Sequence, residues 1–119
     1  MPQFMLILHE TPSDFAELAP AQMQAVIEEY TAWAMRMGEE GRLSGHNKLG
    51  DEGGRSLSTK AGKLEVVDGP YAEAKEVIGG YFVLEAESYE HATELAGSCP
   101  HVRYGRIELR QVDVVEGGA

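Results

Sequence analysis

The sequence contains very little cysteine and no long apolar run. Cys99 is the single cysteine, so an intrachain disulfide is impossible, and such usage is typical of a reducing cytoplasm. No apolar stretch approaches the ~20 residues that a membrane span requires. The N-terminus also lacks the basic and apolar regions of a secretion signal. The sequence therefore predicts a cytoplasmic protein.

Positive charge is scarce as well. The chain has 10 Lys and Arg residues against 20 Asp and Glu residues, which gives a formal net charge of −10. A surface that binds nucleic acid needs clustered Lys and Arg to neutralise phosphates. An anionic membrane surface repels an acidic chain for the same electrostatic reason. We therefore expect neither nucleic acid nor a membrane as a partner.

Several motifs of catalytic and metal sites are missing too. The histidines and the single cysteine show neither His-x3-His nor Cys-x2-Cys spacing, which metal sites commonly use. The sequence has no Gly-x-Ser-x-Gly elbow, and the glycine-rich segment Gly50 to Gly54 contains acids that would repel a phosphate. We expect no metal and no cofactor.

The first apolar segment, Phe4 to Leu8, is apolar at every position instead of at alternate ones. A strand of this kind has to be covered on both faces. One layer of helices covers only one face of a sheet. In a chain this short, a second copy of the chain is the simplest cover for the other face, so this strand predicts a homodimer.

Two segments have helical periodicity. Pro20 to about Glu40 carries one apolar stripe, with Pro20 suited to the first turn and Gly41 to the left-handed stop. Ser88 is a good N-cap for a second helix that extends to about Ser98. A helix of some twenty residues is about 30 Å long, enough to cross a small sheet.

The remaining segments alternate between strands and turns. The residues from His9 to Asp14 are predicted to form a polar loop. The order of elements is typical of an α+β fold, the ferredoxin-like split βαβ plan with an added β-hairpin, an antiparallel sheet and two helices on one face. The length of 119 residues predicts a single domain over 1–119. The later strands are predicted at Leu43 to Leu49, Arg55 to Thr59, Leu64 to Val67, Val77 to Glu85 and Tyr104 to Val114.

A tight corner, Asp68-Gly69-Pro70, lies in the middle of the chain. Asp can bond its own backbone, Gly permits a positive φ and Pro fixes φ, so this triplet predicts a change of direction. The corner is followed by Tyr71, by Ala-Glu-Ala-Lys-Glu at positions 72–76 and by Gly-Gly-Tyr at positions 79–81. This run resembles the signature of the YCII-related family in its DGPF-domain branch, with Tyr71 in the place of Phe. The resemblance extends over most of the chain, from Phe4 to Val112, and implies a dimeric α+β barrel in which two sheets face each other.

Three residues are candidates for catalysis. Asp68, at a strand end, could act as a general base or orient a histidine, or it could simply close the turn. His9 shares a strand face with Met5 and Ile7 and could carry protons, or it could be an exposed histidine at the start of a loop. The hydroxyl of Tyr81 could donate to a substrate oxygen, or the ring could be an interface aromatic with one wet end.

Four further residues are candidates for ligand binding. His46, in the polar extension of the second strand, could converge on the cavity expected between the sheet and the partner subunit, or lie in solvent. Tyr71, Glu73 and Lys75 flank the corner, and a solvated charge cluster is the ordinary interpretation of the two charged residues. His101 follows Pro100 and is expected at the surface.

Two functions remain open from the sequence. The first is acid/base chemistry on a small organic molecule, with Asp68 and His9 as proton carriers and Tyr81 as the residue that orients the substrate. The second is a non-catalytic binding or regulatory role. The resemblance implies this role through the frequent link of DGPF-type proteins with extracytoplasmic-function sigma factors, which would be reached through protein contacts.

Overall fold

The computed structural model of the protein describes residues 1–69 and 75–113. Within these ranges the chain forms six strands, three α-helices and one 3-10 helix. The strands are β1 (Gln3–Glu10), β2 (Leu43–Lys48), β3 (Arg55–Lys60), β4 (Lys63–Asp68), β5 (Val77–Glu85) and β6 (Arg106–Val112). The helices are α1 (Pro12–Ala16), α2 (Pro20–Glu39) and α3 (Tyr89–Gly97), and the 3-10 helix is Pro100–Arg103.

Four strands form the main sheet in the order β2-β5-β1-β6, and every neighbouring pair is antiparallel. With the separate hairpin set aside, this is the strand order of the ferredoxin-like split βαβ plan, so the predicted α+β fold is confirmed. Among the described helices, none is both long enough and apolar enough to traverse a lipid bilayer.

The central strand β1 is buried unequally on its two faces. Phe4, Leu6 and Leu8 are buried under the helices, whereas Met5 and Ile7 are only half-buried. The face that carries Met5 and Ile7 is called the open face below. The apolar run of β1 therefore has one face in the core of the chain and a second apolar face that remains partly accessible.

The long helix α2 has the predicted bounds, and its apolar stripe packs on the sheet. Val26, Trp33 and Met37 are its buried residues. The Trp33 ring meets the Phe82 ring of β5 edge-on, with 5.0 Å between centroids, and its Nε1 donates to Ser98 Oγ across 2.9 Å. Gly41 ends the helix with φ +73°, as its position in the sequence predicts.

The second predicted helix is α3. Ser88 Oγ accepts from the His91 N–H across 3.1 Å and caps its N-terminus. Ala92 and Ala96 face the core, and Cys99 follows as a buried thiol. Pro100 does not enter an irregular loop, because it begins the 3-10 helix.

A short helix, α1, lies where the sequence predicts a polar loop. Pro12 is placed in its first turn, where the fixed φ of proline suits a helix and the missing N–H costs nothing. The helix has 5 residues, which is too short for an apolar stripe to repeat. Its consequence for the fold is that Phe15 is brought to within 6.2 Å of the Tyr104 ring.

The hairpin β3–β4 forms a separate two-stranded sheet. Its turn contains Ala61 at φ 53° and Gly62 at φ 78°, and positive φ at both positions is typical of a type I′ hairpin turn. All of its strand residues are exposed, including Leu57 at 61% and Leu64 at 66%. The added hairpin therefore stands away from the main sheet.

Candidate functional site

A cavity of about 310 Å³ lies between α2 and the helix-covered face of the sheet. Val26 and Ala34 of α2 line one side, and Leu8 of β1 and Phe82 of β5 line the other. Phe15 of the unexpected helix α1 adds to the wall. This volume is at the small end of the range for cavities that bind small organic ligands. Such cavities commonly have apolar walls and a few polar groups.

One end of the cavity is polar because Glu10 lies there, two residues after Leu8 on the same face of β1. The register between β1 and β5 shifts after Leu8, so that His9 pairs with Ile78 and Glu10 with Val77. Glu10 lines the cavity, and its carboxylate lies so close to Gly79 that a Cβ at that position would overlap it. Glycine at position 79 therefore makes room for the Glu10 carboxylate.

A buried histidine borders the same end. His101 is 1% exposed, and its Nε2 lies 2.8 Å from the backbone oxygen of His9. A carbonyl oxygen only accepts, so Nε2 carries the hydrogen and donates it. In the neutral ring Nδ1 is then the acceptor, and the Tyr30 hydroxyl, 2.7 Å away, donates to it. The expectation that His101 lies at the surface is wrong.

The phenol of Tyr30 lines the cavity and is held in its neutral form. Burial raises the pKa of Tyr30 well above its ordinary value, and the neighbouring acidic groups Cys99 and Glu10 raise it further. The hydroxyl therefore keeps its hydrogen across the ordinary pH range and donates it to Nδ1 of the neutral His101 ring.

Two of the sequence-predicted residues border this cavity. The His46 ring is stacked on Phe82, with 5.5 Å between centroids and 15° between planes, and it lies at the exposed rim. Tyr81 also borders the cavity. Because successive side chains of a strand point to opposite faces, its side chain lies on the open face, where it pairs with Ile7, whereas Phe82 lies on the helix-covered face. The hydroxyl of Tyr81 accepts from Asn47 Nδ2 across 2.8 Å.

His9 lies elsewhere, on the open face, with a side chain that is 12% exposed. His9 lies within β1, which continues to Glu10. The interpretation of His9 as an exposed histidine at the start of a loop is therefore wrong. The Nε2 of His9 is 3.0 Å from Glu108 Oε1, and its Nδ1 is 3.4 Å from Glu76 Oε1. Arg106 binds both oxygens of Glu76, from Nε at 3.0 Å and from Nη2 at 2.8 Å.

This network lowers the pKa values of the two carboxyl groups that take part in it. The hydrogen bond from Arg106 lowers the pKa of Glu76, and the charge of Arg106 adds to the effect. The hydrogen bond from His9 is the main cause that lowers the pKa of Glu108, followed by the hydrogen bond from Arg110. The ring of His9 is thus part of a charged cluster on the open face, while its backbone oxygen receives the His101 hydrogen.

Asp68 also lies away from the cavity. It is exposed at the end of β4, and its Oδ1 is 3.1 Å from Arg55 Nε. Lys75 is exposed as well. Tyr71 and Glu73 fall outside the described residues.

The sequence does not indicate a functional role for Glu10, Tyr30 or His101. Their association depends on contacts between residues far apart in the chain, such as the 71 positions between Tyr30 and His101. Within 1–69 and 75–113, the His, Cys, Asp and Glu side chains form no group of three that could hold a metal ion.

Comparison with known proteins identifies one family. Residues 3–115 match the family model described as the YCII-related domain, which is nearly the whole chain. No curated protein matches the sequence.

Proposed function

The chain belongs to the YCII-related family, and we propose that this member binds a small organic molecule in the cavity between α2 and the sheet and performs acid/base chemistry on it. The observation that carries the proposal is the arrangement of the cavity, where apolar walls end at the ionisable side chains of Glu10, Tyr30 and His101. An apolar cavity with a few convergent polar groups is the usual form of a small-molecule site.

Each polar group has a distinct capacity. Glu10 is a carboxylate and can accept a proton or a hydrogen bond from a ligand. Tyr30 is held as a neutral phenol, and its hydrogen bond to His101 fixes the position of its hydroxyl oxygen. His46 lies at the rim, where an imidazole can exchange protons with solvent. His9 and Asp68 do not border this cavity, so the proposed chemistry assigns them no role in it.

The open face supports a proposal about assembly. Met5 and Ile7 are only half-buried on the side of β1 that the core does not use. A second copy of the chain that lays its own open face on this one would cover these residues, as the apolar run of β1 predicts. We therefore propose a homodimer formed through the main sheets, which leaves the cavity under α2 on the outer side of each copy.

The binding proposal is tested by filling the cavity. Ala34 lines it, and a phenylalanine there would occupy part of its volume. Ala32 is exposed on the same helix and serves as the matched site for the same substitution. A library of uncharged and charged fragments is screened by ligand-observed NMR against the wild type, Ala34→Phe and Ala32→Phe, with thermal unfolding as a check that each variant folds.

The expected result is that fragments bind to the wild type and to Ala32→Phe and lose at least tenfold in affinity for Ala34→Phe. Thr31→Trp, at the cavity wall on an exposed position of α2, provides a second blocking variant if Ala34→Phe proves unstable. Fragment binding that is equal in all variants, or absent from the wild type, would overturn the proposal.

A further inference from the structure

The polar end of the cavity accepts hydrogen bonds and has little to donate. The hydrogen of the Tyr30 hydroxyl is given to His101 Nδ1, and the Nε2 hydrogen of His101 is given to the His9 oxygen. Tyr30 therefore offers a ligand only the remaining lone-pair capacity of its oxygen. The carboxylate of Glu10 has about four lone-pair sites, so it can accept from a ligand alongside its other contacts. A ligand group placed against the Glu10 carboxylate and the Tyr30 oxygen therefore has to be a donor.

The charge of the cavity also favours a ligand that donates hydrogen bonds, in particular a cation. Glu10 and Tyr30 line the same cavity, and the negative charge of Glu10 acts on the phenol. Among the described lining residues, Lys48 is the one lysine or arginine. Its ammonium contacts Asp51 Oδ1 at 2.9 Å and the backbone oxygen of Leu49 at 3.0 Å, so its charge is already matched by an acid. An anionic ligand would find a carboxylate where it needs a cation, whereas a cation would be attracted.

The other walls of the cavity are apolar and suit the hydrocarbon part of a ligand. Leu8, Met23, Val26, Ala34 and Phe82 supply apolar surface on both sides of the cavity. The volume of about 310 Å³ corresponds to about ten water molecules of ~30 Å³ each. A ligand with on the order of ten non-hydrogen atoms therefore fits, such as one aromatic ring with a short chain.

From the donors, the charge and the walls together, we infer that the cavity accepts a small protonated amine on an apolar body, with the ammonium group at Glu10 and the oxygen of Tyr30. The body lies between α2 and Phe82. This inference rests on the proposed function, because it names the ligand class of the same cavity.

Three compounds with one common body test the inference. 3-Phenylpropylamine, 3-phenylpropanol and 3-phenylpropionate differ in the terminal group alone and are titrated by calorimetry at neutral pH. We expect the amine to bind at least tenfold more tightly than the alcohol, and the carboxylate to bind most weakly. In Glu10→Gln the amine should lose about tenfold in affinity, while the alcohol changes by less than about twofold. Glu94→Gln removes the same charge from an exposed position on α3 and should leave all three affinities unchanged.

The outcomes separate the ligand class from the function. If the carboxylate or the alcohol binds as tightly as the amine, or if the preference for the amine survives Glu10→Gln, the ligand class is wrong and the binding function stands. If library fragments bind in the cavity while none of the three compounds binds, the ligand class is again wrong. If neither the fragments nor the three compounds bind to the wild type, the proposed function itself fails.

Discussion

The hydroxyl of Tyr30 donates to Nδ1 of His101 across 2.7 Å and thereby joins the long helix α2 to the 3-10 helix that follows α3. His101 in turn donates to the backbone oxygen of His9, which is next to Glu10 in β1. One buried imidazole thus fixes three elements at the polar end of the cavity. The position of the Tyr30 oxygen relative to the Glu10 carboxylate depends on these two bonds.

Removing the Tyr30 hydroxyl tests the contribution of this chain of hydrogen bonds. In Tyr30→Phe the Nδ1 of the buried His101 loses its donor, and an unsatisfied buried acceptor costs about 1–3 kcal/mol. We expect the free energy of unfolding in urea to fall by about that amount. Tyr81→Phe is the matched control, since its hydroxyl accepts from the exposed Asn47 side chain and should contribute less than about 1 kcal/mol. An equal loss in both variants would contradict the buried role of the Tyr30 bond.

Gly105 tests how closely the same elements pack. A Cβ at this position would overlap the His9 backbone oxygen and lie 2.8 Å from His101 Nε2. Gly105→Ala should therefore destabilise the protein by about 1–3 kcal/mol, as overpacking commonly does. Gly38→Ala in α2 has nothing within 4 Å of the new methyl group and should stabilise by about 1 kcal/mol through helix propensity. Thermal unfolding of both variants checks the prediction, and a neutral Gly105→Ala would refute the close contact.

The charged cluster on the open face predicts a loss of stability in acid. Because the pKa values of Glu76 and Glu108 are lowered from 4.5 in the folded protein, their contribution is fully present above the unfolded pKa. It is lost as the pH falls through the lower folded values. The urea midpoint of the wild type should therefore drop between about pH 5 and pH 3.

The matched variant for this prediction is Glu76→Gln with Glu108→Gln. Its urea midpoint should vary less with pH over the same interval, because the two carboxyl groups that titrate differently in the folded and unfolded states are gone. The difference between variant and wild type should also shrink at high salt, which screens exposed charges. A double variant that keeps the full acid dependence would show that these groups are not its source.

The proposed homodimer is tested at Ile7. This residue is half-buried on the open face, where it pairs with Tyr81 of β5 and Glu108 of β6. Ile7→Glu would place a charge in the proposed interface, so we expect light scattering at micromolar concentration to give two chains for the wild type and one for the variant. Leu57→Glu adds the same charge on the exposed hairpin and should not change the mass. A wild type that is monomeric would contradict the dimer.

The sequence predicts the fold well because the signals are periodic and local. Pro20 and Gly41 mark the ends of α2, and Ser88 marks the start of α3, since capping and stop signals act within a few residues. The alternation along β1 places His9 on the face of Met5 and Ile7, and the structure has it there beside Glu108. The helix α1 could not be predicted in this way, because 5 residues do not complete two turns.

The cavity is less accessible to sequence reasoning, since it depends on contacts between distant residues. Nothing near His101 in the sequence indicates that its ring reaches the His9 oxygen, 92 positions away. The proline before His101 suggests a loop, although it opens a 3-10 helix. Glu10 lies on the same face of β1 as Leu8, as the alternation along the strand predicts, but the apolar pattern does not reveal the cavity that its carboxylate borders.

The most direct test of the central claim is the position of a bound ligand. Intermolecular NOEs are measured between the tightest-binding fragment and the methyl groups of the protein. We predict NOEs to Met23 and Ala34, which line the cavity under α2. NOEs confined to Met5 and Ile7 on the open face, or to Leu57 on the hairpin, would contradict the claim that this cavity is the binding site.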